Sequence, residues 1–267
     1  MKSLPPALLL AWLAGAPMAA TYDCVMDPAV VVEVGAPVTG LLDAVLVSRG
    51  QVVAQGDVIA RLKSDIDEVS IRLIRMQADN RDEVAMHQAR LDLALKRQAR
   101  LTQLSERGVA TQEQLDEADA AVDVAGRELG IARTRVQLMA VELEQAEALR
   151  AQKEIRSPID GIVVERNLAG GEFMTQESHI ATIAQLDPLH VEAFLPVSMY
   201  PALSLDQVIE VSPGAPIGGV YPARITAIDR VFDAASGTFG IRLALPNPGS
   251  VLPAGHRCTL EIPGDGG

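Results

Sequence analysis

Residues 36–62, APVTGLLDAVLVSRGQVVAQGDVIARL, and residues 157–183, SPIDGIVVERNLAGGEFMTQESHIATI, align without a gap at an offset of 121. Pro37 matches Pro158, Gly40 matches Gly161, Gly50 matches Gly171, Gln55 matches Gln176, and Ile59-Ala60 matches Ile180-Ala181. Apolar positions match as well: Val38 with Ile159, Leu41 with Ile162, Leu62 with Ile183. Each copy reads as short strands punctuated by glycine turns. Prolines and glycines recurring in frame mark a duplication, and two half-motifs of this kind close one small sandwich when they are brought together.

What lies between them brings them together. Residues 63–153 contain no proline, and their glycines are Gly108, Gly126 and Gly130 alone. The composition is rich in Ala, Leu, Glu, Gln, Arg and Asp, most of them strong helix formers. In the second half Leu115, Val122, Leu129, Val136 and Leu143 recur every seven residues, with Ala118, Ala125, Ala132, Met139 and Ala146 interleaved. That 3–4 spacing is a coiled-coil seam, and its small alanines let a partner helix approach closely. In the first half Leu73, Val84, Leu91, Ala94 and Leu101 fit a seam that Asn80, His87 and Gln98 interrupt. The halves meet at SERGVAT, residues 105–111. Gly108 tolerates the left-handed backbone on which a helix ends, and Thr111 with Gln114 resembles a capping box. Two helices of about 42 residues, each ~63 Å long, joined by so short a turn must run antiparallel. Everything before Lys63 and after Lys153 is therefore expected to be adjacent in space.

The first twenty residues, MKSLPPALLLAWLAGAPMAA, have the basic start, apolar run and small-residue end of a secretory signal, with cleavage expected after Ala20. Pro5, Pro6 and Pro17 break the run, which is too short for a good membrane span. Thr21, Tyr22 and Asp23 ahead of Cys24 do not fit a lipobox. The mature chain is expected to be exported and soluble. Its 267-residue precursor is 48% hydrophobic with a mean hydropathy of +0.18, enough to bury a core, but only 3% aromatic, so that core must be aliphatic. A net charge of −12 and the scarcity of aromatic platforms argue against nucleic acid as a partner.

Catalytic and cofactor signals are weak. No G-x-x-x-x-G-K-[ST] loop, H-E-x-x-H or Cys-x-x-Cys occurs. His87, His179, His190 and His256 are isolated, and His87 falls on the helical seam as a packed polar residue. Asp65, Asp67 and Glu68 sit where a helix N-terminus favours acids, which outweighs a catalytic dyad. No catalytic, cofactor-binding or metal-ligating residues are assigned, and no cofactor or enzymatic activity is expected.

The two copies resemble the half-motifs of a biotinyl/lipoyl-like domain split by an inserted helical hairpin. IRSPIDGIVVERNLAGGEF (residues 155–173), LDPLHVEAFLP (186–196), DAASGTFGIRLALPNP (233–248) and LPAG (252–255) are similar, in order and spacing, to the membrane fusion protein (HlyD-like) family. These are the periplasmic adaptor subunits of tripartite efflux pumps and related secretion systems. The resemblance implies an α+β, multi-module fold: a β-barrel plus a lipoyl-like (biotinyl-lipoyl) β-sandwich interrupted by a long antiparallel α-helical coiled-coil hairpin. Its expected parts are a signal peptide (1–20), an N-terminal segment with the first half-motif (21–62), the hairpin (63–153), the second half-motif (154–184) and the barrel (185–267). The fourth, membrane-proximal module of many such adaptors is expected to be missing or vestigial. A true carrier domain offers a lysine at the turn that the hairpin replaces; Lys63 lies nearby but reads as a solvated helix-start residue. The implied partners are an inner-membrane transporter, an outer-membrane TolC-like channel, and copies of the chain itself in a ring of six. The module order begins as in adaptors of RND transporters, which this favours over an ABC exporter. The competing readings are a lipoyl- or biotin-carrier-like assembly subunit and an exported coiled-coil spacer.

The resemblance also points to particular side chains. Adaptors that dock to TolC-like channels carry at the hairpin tip an Arg, a Leu four residues on and a Ser seven residues after that; Arg100, Leu104 and Thr111 have this spacing about Gly108, with Thr in place of Ser. An apolar seam position for Leu104 and a plain N-cap for Thr111 are the alternatives. Two cysteines in an oxidising compartment invite a disulfide. In this family the N-terminal segment approaches the barrel, so Cys24 and Cys258 are either bonded or two buried thiols.

Overall fold

The computed structural model describes residues 20–262, so the expected signal peptide lies outside the described residues except for Ala20. The duplicated halves form matching strands. The first copy contributes β2 (Gly40–Val45), β3 (Val52–Val53) and β4 (Val58–Leu62). The second contributes β6 (Gly161–Arg166), β7 (Phe173–Met174) and the start of β8 (Ala181–Pro196). Their pairing is reciprocal. Gly40 and Leu41 of β2 pair with Met174 and Phe173 of β7, and Val53 and Val52 of β3 pair with Gly161 and Ile162 of β6. Leu42 opposes Leu62, and its counterpart Val163 opposes Ile183. Each copy thus lends its short middle strand to the other, giving an approximate two-fold. Gly50 and Gly171 both take positive φ, 86° and 88°, which explains why both copies keep glycine at this turn. The sandwich core is aliphatic apart from Met174: Leu42, Ile59, Leu62, Val163, Ile180 and Ile183 are buried together.

The helical segment leaves after β4 and returns into β5 (Glu154–Arg156), which pairs with β4. The outgoing arm is α1 (Asp65–Asp79) and α2 (Asp82–Glu106); the returning arm is α3 (Gln112–Ala151). The arms are antiparallel, with Arg75 bonded to Glu147, Arg133 to Gln88, and Gln98 to Asp119. On α3 the residues at the ten heptad positions are all buried or half-buried, Ala118, Ala125, Leu129 and Ala132 most deeply.

The outgoing arm departs from the single 42-residue helix expected. It breaks at Asn80-Arg81, where Asn80 turns extended (ψ 117°) and its Oδ1 accepts the Asp82 amide. The asparagine side chain offers the backbone a local partner in place of the helical ladder. The break shifts the phase of the seam. Ile71, Ile74 and Ala78 face inward, whereas Leu73 is 57% exposed and Asn80 is also outside the seam. Beyond the break Val84, His87, Leu91, Ala94, Gln98 and Leu101 are half-buried as the spacing expects.

Six strands close the barrel. β1 (Ala20–Val34), β12 (His256–Ile262), β9 (Val208–Pro213), β10 (Tyr221–Ile228), β11 (Thr238–Leu245) and β8 follow one another, and β8 pairs back onto β1. Closure removes exposed sheet edges. Its core is Met26, Leu189, Val191, Leu195, Leu243 and Leu260 with their neighbours, and among the described residues Phe239 is the one fully buried aromatic ring. β1 and β8 belong to both modules. Residues 24–28 of β1 pair with β8 inside the barrel and residues 30–34 pair with β8 alongside the sandwich, with a register shift between. The barrel therefore takes one strand from ahead of the first half-motif, and the 185–267 segment does not close by itself.

Candidate docking site at the hairpin tip

The tip is built from two reciprocal end-caps. α2 ends in a Schellman motif: the Val109 amide donates to the Leu104 carbonyl at 2.9 Å, and the Gly108 amide to that of Ser105 at 2.9 Å. The motif needs a left-handed residue after the last turn, and Gly108 supplies it with φ 70°. α3 then begins with a full capping box: the Gln114 amide donates to Thr111 Oγ1 at 3.3 Å, and the Thr111 amide donates to Gln114 Oε1 at 3.0 Å. Only Val109 and Ala110 separate the turn glycine from the N-cap. The backbone amides and carbonyls of both ends are thus largely satisfied locally, which leaves the tip rigid and its side chains free to meet a partner.

The side chains singled out from sequence are arranged as follows. Arg100 is exposed on α2, one turn before Leu104 on the same side. Leu104 is half-buried, and its carbonyl gathers the amides of Arg107, Val109 and Ala110. Thr111 is exposed and follows Ala110 directly, with its hydroxyl already engaged as the cap. The turn carries the chain back past Leu104, whose carbonyl accepts from the Ala110 amide at 3.4 Å just ahead of Thr111; Arg100 stands one helical turn back along α2. Val109, 71% exposed, adds an apolar tip residue that sequence reasoning passed over, although an apolar residue after the glycine is a Schellman signature.

At the other end of the hairpin the acids of α1 are paired. Asp67 bonds Lys153, Glu68 lies 3.6 Å from Arg150, and Asp65 lies 3.6 Å from Lys63. The Asp67 and Glu68 pairs tie the start of α1 to the end of the returning arm, so these two acids serve as hairpin-root anchors, whereas the Asp65 pair is local. A helix-dipole role is all that the local sequence of Asp67 and Glu68 discloses, because the partners Arg150 and Lys153 lie more than 80 residues away. Arg150 also reaches Glu154 at 3.5 Å and so joins the root to β5.

The histidines remain apart. His87 Nδ1 lies 3.3 Å from Glu128 Oε2 but off the line a hydrogen bond requires. Burial and the neighbouring Arg242 hold the His190 imidazole below its usual pKa, partly opposed by Glu192. His256 Nε2 lies 3.0 Å from the Gly214 carbonyl. Among the described residues, no group of three metal-ligating side chains converges and no helix is long and apolar enough to cross a membrane.

Cys24 and Cys258 are directly opposite in the β1–β12 register, both buried, with Cα atoms 4.8 Å apart, and the structure joins them. The bond closes 234 residues of separation and fastens β1 into the barrel wall. Reduction is expected to cost about 2–5 kcal/mol. Denaturing thiol titration of protein isolated without reductant should find no free thiol; two free thiols would refute the bond.

Residues 30–185 match the family model described as CzcB-like, barrel-sandwich hybrid domain. Among curated relatives, the macrolide export protein MacA of Yersinia pestis is 24% identical over 83% of this chain and 61% of its own length. The multidrug resistance protein MdtA of Proteus mirabilis (strain HI4320) is 26% identical over 83% of this chain and 53% of its own. The chain thus spans little more than half the length of such relatives. Among solved structures, MacA from Actinobacillus actinomycetemcomitans superposes with a TM-score of 0.71 at 21% identity, over 92% of this chain and 79% of that one, and so shows the shared fold.

Proposed function

Since the chain belongs to the CzcB-like barrel-sandwich hybrid family, that of the membrane fusion adaptors of efflux systems, we propose that it is the periplasmic adaptor of a tripartite export assembly. In this reading it is exported by its cleaved leader, sits at an inner-membrane transporter of the RND type rather than an ABC exporter, and reaches an outer-membrane TolC-like channel. Six copies form the ring. It carries out no chemistry and holds no cofactor; its work is mechanical connection.

One observation carries the reading. The polypeptide leaves the sandwich, runs out along α1 and α2 and returns along α3, whose 40 residues span ~60 Å, to deliver a capped, rigid turn far from either β module. Such a device has reach. The arms, packed along an alanine-rich seam, act as a coiled coil that resists bending. At the tip Arg100 supplies a fork of donors for carbonyl oxygens, and Leu104 and Val109 supply apolar surface. A carrier-subunit role finds less support, because both lysines at the junction of the half-motifs are engaged, Lys63 beside Asp65 and Lys153 on Asp67.

The test is complementation of an adaptor deletion in the native host. Arg100→Asp and Leu104→Asp should each reduce export at least ~100-fold, while periplasmic level and melting temperature stay as in the parent, since Arg100 is exposed and Leu104 only half-buried. Full transport by both variants would remove the tip assignment. Cross-linked co-purification then names the transporter: an RND protein is expected, and an ABC protein would correct that part alone.

A further inference from the structure

Phe194 stands on the outer wall of the barrel, 69% exposed. Side chains alternate between the two faces of a strand, so Asp23, Val25, Glu192 and Phe194 point outward while Cys24, Ala193 and Leu195 are buried. A lone exposed apolar residue is ordinary; the surroundings single this one out. Cys24 opposes Ala193, which sets Asp23 beside Phe194 on one flank, and Gly240 opposes Phe194 on the other. A Cβ at Gly240 would overlap Asp229 Oδ2 and lie 3.6 Å from Phe194 Cε1. The absent side chain therefore lets a carboxylate and the ring edge meet over the same bare backbone.

Grooves run on both sides of the ring. One, of about 470 Å³, is floored by the Cys24–Cys258 bond and bordered by Val25, Asp27 and Phe194. The other, of about 210 Å³, lies between Phe194, Asp229 and Arg242. Glu192 borders both, and its charge is answered by Arg242, whose Nε and Nη2 donate to it at 3.0 and 2.6 Å. Asp23, Asp27 and Asp229 make no ion pair among the described residues. Of the other groups along the grooves, Arg257 stands opposite Val25, and burial and Arg242 hold the His190 imidazole, opposite Asp27, toward its neutral form. Three carboxylates against one guanidinium leave this wall negative around a bare aromatic face.

An aromatic face attracts cations through its quadrupole, and nearby carboxylates add a Coulombic pull of the same sign. The larger groove has the volume of a small-molecule site. A protein partner would want a broad apolar centre with charge confined to the rim. Here the apolar surface is little wider than Phe194 and Val25, and carboxylates stand on both flanks of the ring. An organic cation with an apolar body satisfies both features. Its rings or chains cover Phe194 and Val25, and its positive charge turns toward Asp23, Asp27 and Asp229. An anion of the same shape meets repulsion from the same three groups. We infer that the barrel wall around Phe194 binds lipophilic cations. The inference stands on this wall alone, independently of the transporter and the channel.

Calorimetric titration of the mature, oxidised protein with tetraphenylphosphonium tests it, because tetraphenylborate offers the same shape with the opposite charge. Saturable phosphonium binding with a Kd of about 0.1 mM is expected at low salt, at least ~10-fold tighter than the borate. Phe194→Ser should weaken it at least ~10-fold, and so should Asp23→Asn combined with Asp229→Asn. Melting should stay as in the parent, because all three side chains are exposed. Phe194→Trp should retain binding. Phe173→Ser, which removes a ring of similar exposure (65%) on the sandwich, should leave it intact. No saturable binding at millimolar phosphonium, equal affinity for the borate, or binding unaltered by Phe194→Ser would overturn the inference. A parent that binds no phosphonium, with Phe194→Ser losing a protein partner instead, would give the wall to protein docking and overturn it as well.

Discussion

Leu129→Asp is expected to melt the hairpin while leaving both β modules folded. Leu129 is 4% exposed in the middle of α3, between the buried Ala125 and Ala132, with small residues along the seam. An aspartate there meets no lysine or arginine at the facing seam positions, and a buried unpaired charge costs about 3–5 kcal/mol. The hairpin cannot lean on the β modules for compensation, because its contacts are overwhelmingly between its own arms, the charged root excepted. Far-ultraviolet circular dichroism should lose most of its helical signal at a temperature well below the parent's, with the β transition little changed. Ile131→Asp, two residues away and exposed, is the control and should cost only a few tenths of a kcal/mol in the isolated chain. Equal melting curves for parent and Leu129→Asp would show that the seam does not hold the arms together.

The second large effect separates two glycines that the duplication makes equivalent. A Cβ at Gly161 would lie 2.4 Å from the Ala184 carbonyl oxygen and 2.9 Å from its carbon, so it meets the backbone of β8, which cannot swing aside as a side chain can. A Cβ at Gly40 would meet the Leu62 side chain, its methyls at 3.7 Å, an ordinary contact. Gly161→Ala should therefore cost about 3 kcal/mol or more by forcing β6 from β8, whereas Gly40→Ala should lie within about 0.5 kcal/mol of the parent. Denaturant midpoints of the two variants give the comparison directly. The same midpoint for both would mean that the close approach of β6 to β8 is not maintained in solution.

That asymmetry also shows what a sequence discloses. The repeat was readable because turns at Gly50 and Gly171 demand the same residue for the same backbone reason in both copies. The tip was readable because its caps are local: Gly108, Thr111 and Gln114 act over a few residues. The break at Asn80 was harder to see. Asparagine reads equally well as a polar seam residue, and only its bond to the Asp82 amide separates the two outcomes. The pairing of β1 with β12 joins segments more than 230 residues apart, for which hydrophobic alternation carries no address; the two cysteines were the one clue. The steric difference between Gly40 and Gly161 cannot be seen in the aligned copies, since it depends on what each strand is pressed against.

β1 and β8 run unbroken from barrel to sandwich, paired to one another on both sides of an irregularity at Pro28–Val30 and Gln185–Leu189. Two domains on a flexible tether would behave as beads on a string. This ribbon behaves as a drive shaft with one soft coupling. A pull along the strands loads covalent backbone and is carried with almost no give, while a twist is taken up where the ladder is interrupted. Rotation imposed on the barrel thus reaches the sandwich, and through it the root of the long arms, as a graded turn about the ribbon axis.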